Sequence, residues 1–249
     1  IVAGSPEIRR HFFDHLGSQL NPLYRHYNQT YQKTLQQRNK LLKILQENPY
    51  SKQKEQLQIR NEKLIEAGIF LIRERNEITA KLIIGLKKIG QKLYSGNRLL
   101  AISYLSSIEL EIFEPAEIQT AFRKDLTQNQ DREINAGLTL HGPHRDNWEF
   151  LLDSRNLKIF GSRGQQRLAV ISLLQGAMEL LEQTISKKPL VLLDDVFSEL
   201  DHAHSKLLLD FLKPKNYQIF ITSTSLDPFG KSFLAEANLI DLNSRKDNS

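Results

Sequence analysis

Leu190-Val191-Leu192-Leu193-Asp194-Asp195 is a run of four apolar residues that ends in two carboxylates. An uninterrupted apolar run of this length is typical of a strand that is buried on both faces of a parallel sheet. The two acids then lie at the carboxyl end of the strand, where open α/β sheets bind their ligands. The stretch therefore predicts an α/β domain with an acidic site at one edge of its sheet.

A second stretch, Gly161–Arg167, lies upstream and reads Gly-Ser-Arg-Gly-Gln-Gln-Arg. It is a small polar turn that leads into a long apolar-periodic segment, which predicts a helix whose first N–H groups suit an anion. Ser162 is a candidate N-cap. Gly164 costs about 1 kcal/mol relative to alanine inside a helix, which indicates that something approaches the backbone there. Together the two stretches point to phosphate and Mg²⁺ chemistry.

The pair Asp194 and Asp195 has two interpretations. Burying adjacent carboxylates is costly unless they bind a cation or are well hydrogen-bonded. In phosphoryl-transfer enzymes one such acid holds Mg²⁺, and an acid beside it orients or deprotonates the attacking water. The alternative is that both acids only cap the helix that begins beyond Ser198. The presence of the Ser162 turn upstream favours the first interpretation.

The sequence contains no G-x-x-x-x-G-K-[ST] phosphate-binding loop. Residues 85–92 come near to this motif, but they lie in a predicted helix and have Gln91 where the motif has lysine. The chain also begins at Ile1 rather than at methionine. We therefore expect the chain to be a fragment of a longer protein.

Composition bounds the class of protein. The 249 residues are 40% hydrophobic and 25% charged, enough for one large domain or two modest ones with a real core. The absence of cysteine excludes disulfides and thiolate metal sites and fits a reducing cytoplasm. No apolar run approaches the roughly 20 residues that span a bilayer, so we expect no membrane association.

The net charge of +5 is unevenly placed. Residues 28–115 contain 15 lysines and arginines and 9 acidic residues. This excess of 6 positive charges accounts for the whole net charge of the chain. A basic segment is compatible with a phosphate backbone. The alternative for any single cation is an ordinary solvated helix surface.

Apolar spacing predicts a helical first half. A cap candidate at Ser5 and Pro6 starts one helix. Further helices are predicted from about Asn28 to Glu47 and from about Ser51 to Gly90, with short connections that imply antiparallel packing. The residues expected on their inner faces are Leu35, Leu42, Leu45, Ile78, Leu82, Leu86, Ile89 and Leu93.

The second half alternates strands with helices, as in an α/β domain. Strands are predicted within 100–113, at 137–141, 148–153, 190–194, 217–222 and 238–242. Helices are predicted at 115–135, from the Ser162 turn to about 186, and at 202–213.

Several single residues carry weaker signals. His141 and His144 suggest a metal pair, but no third ligand accompanies them, which favours no metal. Trp148 is expected to be a core or hairpin residue. Arg145 either pairs with Asp146 or lines a nucleotide or DNA face.

Aromatic residues beside cations raise the question of base stacking. Tyr24, Tyr27 and Tyr31 lie near Arg25 and Lys33. Their spacing of three and four also fits a helix face packed into the core, which is the interpretation we favour.

Three motifs in this order carry a family resemblance. They are Gly142-Pro143-His144-Arg145-Asp146, then Ser162-x-Gly164-x-Gln166-Arg167, then the stretch Leu192–Asp201. The combination resembles the RecF family, bacterial recombination mediators with an ABC-type ATPase head that are akin to SMC proteins. The beginning of the chain, Val2-Ala3-Gly4-x-Pro6, is similar to the middle of the family pattern. The resemblance therefore covers essentially the whole chain.

The resemblance implies a fold class and a division into lobes. The fold is α/β: an ABC-type ATPase half, a parallel or mixed sheet with helices, plus an all-helical arm lobe. Residues 1–27 would end the first ATPase lobe. Residues 28–136 would form the mainly helical arm, with a short strand region near 100–113. Residues 137–249 would form the signature and Walker B region.

The resemblance also implies roles for particular residues. Asp194 would be the Walker B acid that supports Mg²⁺ through water, and Asp195 stands where many ABC ATPases have the catalytic glutamate. Ser162, Gly164 and Gln165 would form the signature that meets the nucleotide of the opposite subunit. Ser198 and Asp201 would belong to the D-loop. The γ-phosphate sensor is left open among the switch candidates Thr222, Ser223 and Thr224.

The function implied is that of an ATP-dependent DNA-binding protein of recombinational repair, replication and the SOS response. It would dimerise on ATP, bind DNA and release it on hydrolysis, with recombination mediator proteins as partners. The parent protein would be a weak DNA-stimulated ATPase in the cytoplasm. The family's P-loop precedes the region that matches Ile1, so this chain alone should neither bind ATP in cis nor hydrolyse it.

Two other functions are open on the residues alone. One is a non-enzymatic module that acts through DNA or protein contacts of its helical arm. The other is a metal-dependent phosphoesterase that uses Asp194, Asp195 and Asp201.

Overall fold

The computed structural model of the chain describes residues 1–48, 53–94, 98–186, 188–200, 202–212 and 217–242. The chain forms two compact units, unit 1 from Ile1 to Ile185 and unit 2 from Ser186 to Ser249. The predicted lobe boundary at 136/137 falls inside unit 1. The three-lobe division stays a prediction.

Unit 1 is dominated by helices. Proline at the first helical turn starts α1, α2 and α4, where its missing N–H is not needed. Asn21 also caps α2, since its side chain accepts from the Leu23 N–H at 3.0 Å. The helices are α1 (Pro6–Leu20), α2 (Pro22–Glu47), α3 (Gln53–Leu93), α4 (Pro115–Gln128), α5 (Gln130–Ala136), α6 (Leu157–Phe160) and α7 (Arg163–Ile185).

Helices α2 and α3 form an antiparallel pair, as the short connection predicted. Tyr27 stacks on Phe70, and the Arg38 side chain donates to Asn61 at 2.7 Å, so the partner number falls as the residue number rises. Six of the residues predicted on the inner faces are buried: Leu35, Leu42, Leu45, Ile78, Leu82 and Leu86. The side chains of Ile89 and Leu93 lie outside the described ones.

A three-stranded antiparallel sheet packs against these helices. It contains β1 (Leu100–Leu105), β2 (Asn147–Leu152) and β3 (Arg155–Asn156), in the order β1-β2-β3. Alternate residues of β1 and β2 are buried and pair across the strands, as Tyr104 does with Trp148. Trp148 stacks on Phe13 with ring centres 4.0 Å apart, which confirms it as a core residue.

A buried ion-pair cluster connects three segments of unit 1. The guanidinium of Arg75 in α3 lies 2.7 Å from the Asp14 carboxylate of α1 and 2.9 Å from that of Asp146. Asp146 also accepts from the Tyr104 hydroxyl and, at 2.9 Å, from the Ser107 N–H. Arg75 is 1% exposed and Asp146 is 0% exposed. Such charges persist in a core only when they are paired and hydrogen-bonded.

The turn before Asp146 is fixed by neighbouring side chains. Gly142 has φ 128°, a conformation that favours glycine, and a side chain there would meet the Tyr31 hydroxyl. His144 lies 2.9 Å from that hydroxyl through Nδ1 and 3.1 Å from the Thr139 carbonyl through Nε2. The carbonyl requires a donor, so Nε2 carries the proton and Nδ1 accepts from the phenol. Tyr24 and Tyr31 are fully buried, which confirms the core interpretation for these two residues, whereas Tyr27 is half-buried.

Unit 2 contains a two-stranded parallel sheet, β4 (Val191–Asp194) and β5 (Ile219–Thr222). A 3₁₀ turn, Val196–Glu199, follows β4 and leads to α8 (His202–Leu212), and a short α9 (Lys231–Leu234) follows β5. These bounds confirm the predicted strand–helix–strand order within one or two residues.

Three strand predictions are wrong or too long. Only Leu100–Leu105 of 100–113 is a strand. Residues 137–141 form no strand, because their N–H groups bond to other partners. Leu138 donates to the Glu133 carbonyl, Leu140 to the Glu133 carboxylate at 2.8 Å, and Thr139 to the distant Asn39 side chain at 2.8 Å. Residues 238–242 are described and also form no strand.

The expectation that β4 is buried on both faces is also wrong. Val191 and Leu193 are buried, whereas Leu192 is 69% exposed and its cross-strand neighbour Phe220 is 53% exposed. Side chains alternate along a strand, so one face of this sheet is covered and the other is not. Asp194 and Asp195 are correspondingly exposed.

One described helix, α7, is long and apolar enough by length and composition to cross a membrane. Half of the window that meets this test is buried in the fold. Ala169 and Leu173 belong to the main core of unit 1. This is the pattern of a core helix and weak evidence for a membrane span.

We expect Asp146→Asn to lower the free energy of unfolding by about 3 kcal/mol or more, because it leaves the buried Arg75 without part of its countercharge. Urea unfolding followed by circular dichroism measures the change. Asp153→Asn is the matched control, since Asp153 pairs with Arg98 at the surface. Equal effects of the two substitutions would contradict the importance of burial.

We expect stability to fall as the pH is lowered from about 6.5 to about 4. Burial lowers the pKa of His144 from 6.5 to about 4, so in this window the unfolded chain binds a proton that the folded chain does not. The shift corresponds to about 3 kcal/mol. His144→Gln should flatten the pH dependence of urea unfolding, and His15→Gln, on the exposed face of α1, should not. Identical slopes in the two variants would refute this role of His144.

Candidate functional site

The turn before α7 is a reciprocal cap. The Gln165 N–H donates to the Ser162 hydroxyl at 3.2 Å, and the Gln165 side-chain oxygen accepts from the Ser162 N–H at 3.0 Å. This S-x-x-Q arrangement satisfies two donors that a helix start otherwise leaves unpaired. Ser162 is therefore the N-cap that the sequence predicted, and Gln165 is its partner.

The same turn retains groups that suit an anion. Ser162 is exposed, and its hydroxyl oxygen accepts the Gln165 bond, so the hydroxyl proton remains for another acceptor. The N–H groups of Arg163 and Gly164 lie in the first turn, where no helical carbonyl precedes them. The 23-residue helix adds the positive end of its dipole.

Two side chains hold this turn in place. The Gln166 amide donates to the carbonyls of Leu157 and Gly161 at 2.9 and 3.2 Å. The buried Tyr94, at the end of α3, donates its hydroxyl to the Gln165 carbonyl at 2.6 Å. Sequence reasoning missed Tyr94, because nothing in the local pattern connects it with a turn 71 residues away.

The acidic site of unit 2 joins the ends of its two strands. Asp194 and Thr222 are register partners, and the Thr222 hydroxyl donates to Asp194 Oδ1 at 2.5 Å. The same oxygen of Thr222 accepts from the Asp195 N–H at 3.0 Å. Thr222 is thus the switch candidate that the structure brings to the acids.

Asp195 occupies a special backbone position. Its φ of 47° and ψ of 24° lie in the left-handed region, which non-glycine residues adopt mainly in turns. The backbone turns at Asp195, directly after β4 ends at Asp194, and leads into the 3₁₀ turn Val196–Glu199.

The acidic site fits Mg²⁺ only together with other ligands. Mg²⁺ is usually held by one or two carboxylates plus waters and phosphates, and Asp194 with Thr222 offers one carboxylate and one hydroxyl. No cluster of three or more His, Asp or Glu side chains that suits a metal occurs among the described residues. His141 instead bonds Asp125 at 2.9 Å.

The other predicted site residues are placed as follows. The Ser223 hydroxyl donates to the Ser225 carbonyl at 2.7 Å, turned along its own loop, and Thr224 is exposed. Ser198 lies in the 3₁₀ turn after β4, but its side chain, like the whole of Asp201, lies outside the described ones. In the same turn the buried Phe197 packs on Phe229 with ring centres 4.7 Å apart, a contact that sequence reasoning missed.

Arg145 does not form the ion pair that one interpretation expected. The Asp146 carboxylate is taken by Arg75, whereas Arg145 is exposed. The Ser162 turn belongs to unit 1 and the acidic site to unit 2, and each is built within its own unit.

The fold is similar to that of solved structures. The recombination mediator protein RecF of the RecFOR pathway, in the structure named RecF-ATPrS, matches with a TM-score of 0.81 and 30% identity. The RecF-ATP structure matches with a TM-score of 0.79. Each match covers 91% of this chain and 60% of the other. The chain therefore has a mixed α/β, ABC ATPase-like fold with helical parts, as the sequence predicted.

No family model matches the chain, but its sequence is similar to those of individual proteins. DNA replication and repair proteins RecF from Rippkaea orientalis and Crocosphaera subtropica are each 35% identical over 99% of this chain and 67% of their own length. A Bacillus cereus RecF is 38% identical over 96% of this chain and 64% of its own length. The chain belongs to the RecF family. It spans about two thirds of the length of these relatives.

We expect Ser162→Ala to lower the free energy of unfolding of unit 1 by about 1 kcal/mol, because it removes the N-cap. Ser162→Asp should retain stability, since aspartate is an equally good N-cap. Thr120→Ala is the control, because that hydroxyl bonds only the Ala116 carbonyl of its own helix. Urea unfolding measures all three, and an alanine variant as stable as the parent chain would show that the cap is not formed.

Proposed function

We propose that this chain acts in ATP-dependent DNA repair by supplying the trans half of a shared nucleotide site. In this arrangement the turn at Ser162 meets the phosphates of an ATP molecule that a second subunit holds by its P-loop. The named relatives are DNA replication and repair proteins, and the RecF structures with ATP and ATPrS support ATP as the ligand.

The observation that carries the proposal is the state of Ser162. Its cap bond uses only the acceptor capacity of the hydroxyl oxygen, so the exposed hydroxyl can donate to a phosphate without loss of the helix start. Gly164 brings no side chain to the same turn, which allows close approach to its N–H. Backbone donors and a hydroxyl fixed in advance stabilise the charge that develops on a phosphoryl group.

The acidic site would supply the second half of the chemistry. Asp194, oriented by Thr222, would support Mg²⁺ through a bound water, and the ion would neutralise charge on the phosphates. Asp195, at the left-handed backbone position after β4, would orient or deprotonate the attacking water. Ser198 and Asp201 would belong to the loop that crosses between subunits.

Nucleotide and DNA would then be coupled through the dimer. Because the phosphates join groups from two subunits, ATP favours the closed dimer and hydrolysis removes that preference. The basic arm would bind DNA through exposed lysines. Arg38 and Arg75 cannot take part, since both are buried and paired. We place this activity in the bacterial cytoplasm, with recombination mediator proteins as partners.

A second function fits this chain taken alone. Its sequence has no P-loop motif, so we expect no hydrolysis without a P-loop supplied from elsewhere. An interaction module that acts through the arm would need none. The phosphoesterase alternative has no support beyond Asp194 and Asp195.

The test measures ATP turnover against protein concentration, with DNA present, in a polypeptide that carries this chain together with a P-loop. We expect specific activity to rise with concentration, because the site is shared between subunits. Ser162→Asp should lower turnover by about 100-fold or more, since it keeps the cap but repels phosphate.

Ser154→Asp is the matched control, because Ser154 is exposed and has φ 64°, which aspartate tolerates. Its turnover should equal that of the parent protein. Turnover that is independent of concentration and unchanged by Ser162→Asp would overturn the shared site.

A further inference from the structure

The arm carries a groove that the nucleotide chemistry does not use. It consists of two adjoining hollows of about 490 and 560 Å³, which share Arg73 and Pro115. The groove follows α3 from Glu62 to Glu77, about four helical turns. All of its lining residues belong to unit 1.

Aromatic and aliphatic side chains line part of the groove. Tyr27 and Phe70 stack there with ring centres 4.2 Å apart and planes 16° apart, and both rings are half-buried. Ile112, in the second hollow, is 57% exposed. A hollow with aromatic walls and an exposed aliphatic side chain suits an apolar anchor from a partner.

The rim of the groove is acidic although the chain is basic. The lining includes five glutamates against one lysine and one arginine. Glu62 lies 2.6 Å from Arg123, and Glu77 lies 3.5 Å from Arg73. Three exposed glutamates make no ion pair with any described residue, and we call them the rim glutamates: Glu66, Glu111 and Glu114.

We propose that this groove docks a basic amphipathic helical segment of a partner protein. Its apolar face would lie on the Tyr27–Phe70 pair and Ile112, and its lysines or arginines would meet the rim glutamates. The groove has the length of about four helical turns, which suits a helix laid in a groove. Nucleic acid is disfavoured, because its phosphates would face unpaired carboxylates.

This inference goes beyond the ATP-dependent function. The groove lies wholly within unit 1, and its test needs neither nucleotide nor P-loop. Failure of one proposal therefore leaves the other standing.

The test uses a fluorescein-labelled peptide of about 18 residues with leucine on one helical face and lysine on the other. Fluorescence anisotropy measures its binding to the full chain. Reversal of two rim charges, Glu66→Lys with Glu114→Lys, should weaken binding by roughly tenfold or more. Glu55→Lys with Asp131→Lys, both exposed and outside the groove, should change it less than about twofold. Thermal unfolding checks that both variants are folded.

A second measurement, independent of the binding affinity, locates the peptide on the protein. The chain has no cysteine, so Ile112→Cys gives a single thiol for an environment-sensitive fluorophore. The amphipathic peptide should shift its emission to shorter wavelength, and a peptide of the same composition in scrambled order should not. Equal weakening by the two double variants, or a shift caused by duplex DNA and not by the peptide, would overturn the proposal.

Discussion

The buried pairing of Arg75 with Asp146 is the constraint on which the rest of unit 1 depends. Both charges are out of water, so each requires the other, and Asp14 completes the cluster. The three residues come from α3, from the turn before β2 and from α1. Because β2 begins at Asn147, the next residue, the same ion pair fixes where the sheet lies on the helices.

Helix α3 extends this constraint to the turn before α7. It contains Arg75 of the ion pair and ends at Leu93, directly before Tyr94, whose hydroxyl donates to the Gln165 carbonyl at 2.6 Å. The start of α7 is therefore positioned by the arm and by α6, through Gln166, rather than by its own sequence alone. The local sequence makes Ser162 a cap, and contacts with Tyr94 and α6 decide where that cap is held.

Helices were predictable from the sequence and strands much less so. The bounds of α3 and α7 and the end of α2 follow from apolar spacing, prolines and the Ser162 cap, all of which act within a few residues. The start of α2 was predicted wrongly, because the helix begins at Pro22 and not near Asn28. The strand predicted at 137–141 does not form, because the Thr139 N–H bonds the side chain of Asn39, 100 residues away. A strand requires a partner, and no local pattern shows that side chains have taken its donors. The exposure of Leu192 escaped prediction for a related reason, since an apolar run does not say how many of its faces are covered.

The sequence by itself determined the long helices of the first half, the order of the motifs and the family resemblance, because these depend on residue type and spacing. Only the tertiary structure decided what the charged motif residues do. Asp146 and Asp194 both follow or end short motifs and look alike in the sequence. Asp146 is fully buried against Arg75, whereas Asp194 is exposed beside Thr222 and available to a ligand. The two carboxylates differ in how far they are removed from water and in which group they bond. Both properties are set by segments that are distant in the chain and meet only on folding.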